Sequence, residues 1–280
     1  MDTKPFTPHP HPHPLPDPSG RTMQVTRVAD GIWHALEDDL VVGRGHAVPR
    51  PDGRLFVSID AWHLATFSRL AEAMLAALPG PLYTIVDEAD VSLASGWQQF
   101  GFTVLRREWE FAVPTDPRVT GLGLGLQLEL EGVLAPPGVT IVPVGSADEG
   151  LLRDLDRTIR AEVGAGAGWQ SMPAEVRPRP ADGGIVDPSR YAVAAASDRY
   201  VGLLRLVTAT RQPRIGLIAV LASEQRRGIG RALLGHVLGT LDRRGIATAS
   251  AEVDSSNSAA LALFSGIGSR RTGSSLELAR

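Results

Sequence analysis

The 280-residue sequence predicts an α+β fold of two tandem halves, each a mixed sheet flanked by helices. Three observations point there. Both halves end in the order strand, helix, strand, helix, strand. Both close on a glycine with a glutamate nine residues further on, Gly101 with Glu110 and Gly268 with Glu277. The matching segments open at Arg54 and Arg214, 160 residues apart, whereas the closing glycines stand 167 apart, so the second half carries about seven extra residues. Their natural place is Gln225 to Arg231, a strand-to-helix junction with two glycines. The first half reads Ser58-Ile59-Asp60-Ala61-Trp62-His63 there and has none.

With 43% apolar residues the chain can bury two compact cores. Formal net charge is −3, from 31 acidic against 28 basic residues, which offers no field for a polyanion or an anionic membrane surface. Neither nucleic acid nor membrane is an expected partner. The absence of cysteine removes disulfides, thiolate zinc sites, thioester intermediates and cysteine nucleophiles together. No basic n-region leads into an apolar h-region, and no stretch approaches the roughly 18 apolar residues of a membrane span, so the expected location is cytoplasmic.

Residues 1–20 read as a disordered tail, because prolines alternating with polar residues from Pro5 to Gly20 cannot bury a core. His9, His11 and His13 would fan around a polyproline-like axis with no other ligand near in sequence, so no metal site is expected. Strands follow at Ile32–Leu36, Val41–Val48 and Arg54–Ile59, with Pro51-Asp52-Gly53 as a turn. Leu64, Phe67, Leu70, Ala71, Met74, Leu75 and Leu78 recur at steps of three and four, one helical stripe that Pro79-Gly80-Pro81 ends. A strand at Leu82–Val86, a short helix at Asp90–Gln99 and a strand at Phe102–Val113 complete a first domain at 21–115.

Segment 116–138 reads as a linker, from Gly121-Leu122-Gly123-Leu124-Gly125 and Pro136-Pro137-Gly138. The second domain, 139–280, begins with a strand at Thr140–Val144, a helix at Ala147–Val163 and an irregular stretch rich in glycine and proline. Strands at Tyr191–Ala196, Tyr200–Thr208 and Ile215–Leu221 lead to a helix at Ile229–Arg243. A strand at Ala247–Val253, a helix at Ser258–Phe264 and a strand at Arg270–Leu278 end it.

Gly228 and Gly230 stand where an apolar strand turns into a helix. Without Cβ atoms there, backbone N–H groups can approach an anion, and the helix N-terminus favours phosphate. Arg226, Arg227 and Arg231 can add charge-assisted bonds. Ile229, Leu233, Leu234, Val237, Leu238 and Leu241 form one stripe, so this helix can dock on a sheet with its N-terminus open. On the glycines alone, a tight strand-to-helix connection reads equally well. A P-loop is excluded because no Gly-Lys-Ser/Thr follows, and a dinucleotide fingerprint because the third glycine is missing.

The whole string Leu217-Ile218-Ala219-Val220-Leu221-Ala222-Ser223-Glu224-Gln225-Arg226-Arg227-Gly228-Ile229-Gly230-Arg231-Ala232-Leu233-Leu234 closely resembles motif A of the GNAT N-acetyltransferases, whose pattern is Gln/Arg-x-x-Gly-x-Gly/Ala. Glu252-Val253-Asp254-Ser255-Ser256-Asn257 and Ala260-Leu261-Ala262-Leu263-Phe264 resemble motif B of the same family. The resemblance covers about residues 139–280 and implies a mostly antiparallel sheet with acetyl-CoA as cosubstrate. It implies that backbone groups of Ile218, Ala219 and Val220 pair with the pantetheine arm. Gln225, Arg226, Arg227, Gly228, Ile229, Gly230 and Arg231 would hold the pyrophosphate, with Asn257 beside the cofactor. Read by itself, Asn257 is also a good helix N-cap before Ser258, and the two roles are compatible. The first half resembles the C-terminal part of the same fold without its phosphate loop, which implies a degenerate copy that binds no acetyl-CoA.

Acetyl transfer to an amine needs a neutral nucleophile, a route for its proton and stabilisation of charge on the thioester oxygen. No covalent enzyme intermediate is required, which suits a chain without cysteine. Glu252 matches the Glu-Val-x-x-x-Asn of the ribosomal-protein alanine N-acetyltransferases, a likeness that implies a catalytic base. As a residue alone it reads equally as a strand-end carboxylate paired with an arginine such as Arg205 or Arg271. Twelve residues on, where the family commonly has a tyrosine that protonates the departing thiolate, stands Phe264; Tyr191, Tyr200 or solvent are left to substitute. Arg214 stands where many members carry a glutamate on the strand before the loop.

Trp169, Met172 and Glu162 are candidates to line the acceptor pocket, although Trp169 reads equally as a core plug, and His236 reads as a packing or surface residue. The resemblance implies a small primary amine as acceptor, and a homodimer is compatible with it. A protein or peptide N-acetyltransferase and a non-catalytic acetyl-CoA-binding protein stay open.

Overall fold

A computed structural model describes residues 23–50, 52–122, 135–166, 187–208 and 212–280. The expected tail, the middle of the expected linker, Trp169 and Met172 lie outside the described residues. The chain forms two compact units. One takes the described residues up to Arg107 and then Gly273–Arg280; the other takes the described residues from Glu108 to Thr272.

The first unit holds β1 (Gln24–Ala29), β2 (Ile32–Glu37), β3 (Leu40–Pro49), β4 (Leu55–Ala61), α1 (Leu64–Ala77), β5 (Leu82–Asp87) and α2 (Val91–Gln99). Its sheet runs β1-β2-β3-β4-β5 and ends on Ser275–Ala279 of β12 (Arg270–Ala279). Only β4 and β5 are parallel, across Leu55 with Leu82 and Phe56 with Tyr83. The helical stripe packs as its spacing requires: Phe67, Leu70, Ala71 and Met74 are buried against the sheet. Trp97 of α2 meets Phe67 and Phe102 edge-on at 5.1 and 4.8 Å between ring centroids, a favoured aromatic geometry. Strand β1 was not expected. It is mostly exposed and lacks an apolar alternation, so its strand conformation comes from pairing with β2 rather than from a pattern of its own.

The second unit takes β6 (Thr103–Pro114) from Glu108 onward. It continues with α3 (Pro117–Thr120), β7 (Thr140–Val142), α4 (Glu149–Ala165), β8 (Tyr191–Ala196), β9 (Arg199–Val207) and β10 (Arg214–Val220). It ends with α5 (Ile229–Arg243), β11 (Thr248–Asp254) and α6 (Ser258–Ser265). Its sheet runs β6-β11-β10-β9-β8-β7, again with one parallel pair, β10 and β11. The predicted mixed, mostly antiparallel sheet with flanking helices is therefore present. Ile229, Leu233, Leu234, Val237, Leu238 and Leu241 of α5 are all buried in its core, and Leu152, Leu155 and Ile159 of α4 join them.

Helix α3 falls inside the expected linker. Asp116 caps it by accepting the Arg118 N–H at 2.8 Å, Pro117 opens it, and Gly121 closes it in the left-handed region. The closing strands are traded between the two stretches of sequence: Glu108–Pro114 pairs with β11, and Ser275–Ala279 pairs with β5.

Candidate functional site

The second unit has two distinguishable sheet faces. A Cβ on Gly202 of β9 would lie 3.1 Å from Ile229 and 3.3 Å from Leu233, so that face carries α5. Side chains alternate along a strand, so Arg205 points to the other face. Its register partner Tyr191 lies there, under the fields of Arg205 and of Asp156 and Arg160 on α4. Across the sheet, Arg214 pairs with Val207 on one side and Ser250 on the other, which puts Arg214 and Glu252 on the α4 face.

Between those faces the sheet opens. Strands β10 and β11 pair only at Arg214 with Ser250 and Ile215 with Ala251; beyond that β10 keeps β9, and β11 keeps β6. A register shift at Gly216 accompanies the parting. Leu217, Ile218, Ala219 and Val220 are all half-exposed, although a strand in the middle of a sheet would ordinarily be buried. The Leu221 N–H donates to the Val201 carbonyl at 3.0 Å. By the alternation of an antiparallel ladder, Ala219 then spends its backbone groups on β9, while those of Ile218 and Val220 face the opening. Ile218 and Val220, two of the three residues named from the resemblance, thus turn backbone groups to the opening.

At the end of β10 a short 3₁₀ turn, Ala222–Glu224, leads into the glycine loop. Arg226 sits at φ 64° and Gly228 at φ 88°, where glycine carries no Cβ penalty, and Gly228 begins α5 without a side-chain cap. The first N–H groups of α5 therefore face outward from the helix, with its positive dipole end behind them. Gly230 has neither a positive φ nor a crowded side: a Cβ there would meet only Ile218 Cγ2, at an ordinary 3.9 Å. Such a glycine costs a helix about 0.5–1 kcal/mol, and crowding by the described residues does not account for it.

The loop is held by its own side chains. Glu224, almost buried, pairs with Arg199 at 2.9 Å and with Arg227. Arg227 also donates to the Pro137 carbonyl at 3.4 Å, and Gln225 Nε2 donates to the Val220 carbonyl at 3.1 Å. From α4, a Glu162 oxygen accepts the Ala222 N–H at 3.0 Å. Of the expected phosphate ligands, Gln225 and Arg227 are thus occupied in shaping the loop. Arg226 and Arg231 are exposed, and neither has a carboxylate partner among the described residues. Asn257 caps α6 by accepting the Ala260 N–H at 3.0 Å through its amide oxygen, a bond that does not use its amide N–H groups.

Glu252 is 41% exposed and takes Arg214 as its ion-pair partner, Nη1 to Oε2 at 3.2 Å. Neither arginine named from the sequence does this. Arg205 faces Tyr191 beneath α4, and Arg271 stacks over the Trp109 ring at 3.0 Å. Directly across from Glu252, on β6, is Glu110. Sequence reasoning met Glu110 only as a marker of the internal repeat, because nothing local connects residues 110 and 252. Like charges facing across a ladder are unfavourable, and Arg214 beside Glu252 offsets part of that cost.

Phe264 is buried and stacks on Phe111 at 5.9 Å, on the α5 face, so it packs the core and does not address the opening. The Tyr200 hydroxyl accepts the Asp148 N–H at 2.9 Å near the start of α4. Burial pushes the Tyr191 phenol above its ordinary range, with Arg205 pulling the other way. Both tyrosines stand on strands on the far side of β10 from Glu252. His236 is half-buried on α5, consistent with packing. Among the described residues no cluster of histidine and carboxylate side chains could hold a metal, and no helix is long and apolar enough to cross a membrane.

Residues 165–268 match the acetyltransferase (GNAT) family. Ribosomal protein bS18-alanine N-acetyltransferase of Escherichia coli is 51% identical over 51 residues, which is 18% of this chain and 34% of that one. The Salmonella typhimurium enzyme of the same name is 49% identical over the same length. The chain thus spans about a third of these curated relatives. Among solved structures, a GCN5-related N-acetyltransferase from Sphaerobacter thermophilus superposes with a TM-score of 0.62 at 17% identity, over 91% of this chain and 82% of that one. A tandem GNAT protein from the clavulanic acid biosynthesis pathway gives 0.61 at 14% identity, over 89% and 82%. At such identities these two show a shared fold.

Proposed function

We propose, from the match of residues 165–268 to the acetyltransferase (GNAT) family, that the protein is an acetyl-CoA-dependent N-acetyltransferase acting on the primary amine of a small molecule. The observation that carries the reading is the parting of β10 from β11 after two residue pairs, which opens a half-exposed strand edge directly onto the glycine loop. Ile218 and Val220 would pair along the pantetheine arm. The N–H groups of Gly228 to Arg231, with Arg226 and Arg231, would hold the pyrophosphate. Asn257 would contribute its amide N–H.

Glu252 would receive the proton that the amine sheds as its nitrogen bonds to the acetyl carbon and the thioester carbon–sulfur bond breaks. Arg214 orients that carboxylate. With Phe264 in the core, the departing thiolate takes its proton from solvent, and with an ordinary thiol pKa of about 8.5 the released coenzyme ends mostly as the thiol at neutral pH. The first unit, which lacks the glycine loop, would bind no acetyl-CoA.

A second reading, acetylation of a peptide N-terminus, is favoured by the likeness to the bS18-alanine enzymes and by the exposure of Glu252. Release of free CoA from acetyl-CoA, measured across a panel of small amines and alanine-terminated peptides, separates the two. Turnover with small amines is the expected result. Tight acetyl-CoA binding without turnover of any acceptor would leave a binding protein and sink the enzyme reading.

A further inference from the structure

The 3₁₀ turn at Ala222–Glu224 begins after Leu221, a buried residue whose side chain cannot cap it. Its first N–H is satisfied from 60 residues upstream, by the carboxylate of Glu162 near the end of α4. Helix α4 lies on the sheet face that bears Glu252, whereas the loop feeds α5 on the opposite face. Glu162 therefore reaches around the end of β10 and joins the layer over the acceptor side to the loop. A negative charge beside a phosphate site is electrostatically unhelpful, so its presence there needs another reason.

We infer that Glu162 is a positioning residue for the acetyl donor: by accepting the Ala222 N–H it holds the start of the loop in the shape that presents Gly228 to Arg231 to the pyrophosphate. The inference rests on the acetyl-CoA reading above. It makes charge and hydrogen bonding separable, because glutamine keeps the acceptor oxygen and loses the charge, while alanine loses both.

Full-length Glu162→Ala and Glu162→Gln are compared with wild type by titration calorimetry with acetyl-CoA, and by hydrogen exchange of the 221–227 backbone without ligand. Glu162→Ala is expected to bind acetyl-CoA about five- to tenfold more weakly, as for the loss of a cap, with faster exchange at Ala222 and an unchanged melting temperature. Glu162→Gln is expected to bind at least as tightly as wild type with exchange still slow. Wild-type affinity or wild-type exchange in Glu162→Ala overturns the inference, as does equal weakening in both variants. Failure of the wild type itself to bind acetyl-CoA overturns the cofactor reading instead, and the exchange comparison, which needs no ligand, tells the two failures apart.

Discussion

Glu252 and Phe264 lie twelve residues apart, yet one faces the open side of the sheet and the other its core. The carboxylate we propose as proton acceptor is thus exposed, while the position that would carry an acid is buried. Glu252→Gln should lower turnover by about 10²- to 10⁴-fold, the usual worth of a general base, with acetyl-CoA affinity nearly intact. Steady-state kinetics beside calorimetry checks this, and unchanged turnover removes Glu252 from the mechanism. Gly230 allows a sharper separation of fold from function. Alanine fits there without a clash and improves helix propensity by up to about 1 kcal/mol, so Gly230→Ala should melt at or above the wild-type temperature while binding acetyl-CoA at least tenfold more weakly, roughly 1.4 kcal/mol. Retained affinity would show that nothing approaches that glycine. Gly228→Val forces a β-branched residue to φ 88° and should lose both binding and stability.

At the scale of elements, the ion cluster that ties β12 to β4 is the exposed weakness of the first unit. Arg54 is held by Asp52 and Glu277, all nearly buried, and its guanidinium lies over Phe56 and Tyr83. Arg54 faces two nearly buried carboxylates, so Arg54→Met, which leaves both without it, should cost about 3–5 kcal/mol in denaturant unfolding. The triple variant Arg54→Met with Asp52→Asn and Glu277→Leu should cost clearly less, because neither carboxylate remains to be orphaned. A triple variant as damaged as the single one would mean that packing around the cluster, not charge, sets the loss. The motif residues were legible from sequence because a loop of seven residues is a local object. Arg54 with Glu277, Arg214 with Glu252, and Glu162 with Ala222 were not, since each joins residues 38 or more positions apart.

Across the whole molecule, the traded strands bind the two stretches of sequence into one folding problem. Pieces cut at the linker, 1–115 and 139–280, would each lack the strand that closes its sheet: β12 supplies Leu276 and Leu278 to the first core, and β6 supplies Phe111 and Val113 to the second. Burial of each such side chain is worth about 1.5–3 kcal/mol, against a total domain stability of about 5–15 kcal/mol. Neither piece alone should show a cooperative melt, and mixing the two under refolding conditions should restore one. A separately folded 139–280 piece that binds acetyl-CoA would refute this.

The sequence by itself determined the helices, nearly every strand, the repeat and the glycine loop, because periodicity, turn residues and motif spacing act over a few residues. The exceptions follow the same rule. Strand β1 has no pattern of its own, and α3 is a four-residue helix made by Asp116, Pro117 and Gly121 inside a segment whose composition reads as connection. Only the tertiary structure decided that β10 parts from β11, that Ala219 turns to β9, that Arg214 rather than Arg205 or Arg271 meets Glu252, and that each closing strand completes the other stretch's sheet. Those are choices of pairing partner, set by hydrogen-bond registers and burial between residues far apart in the chain, where no short-range pattern can carry the information.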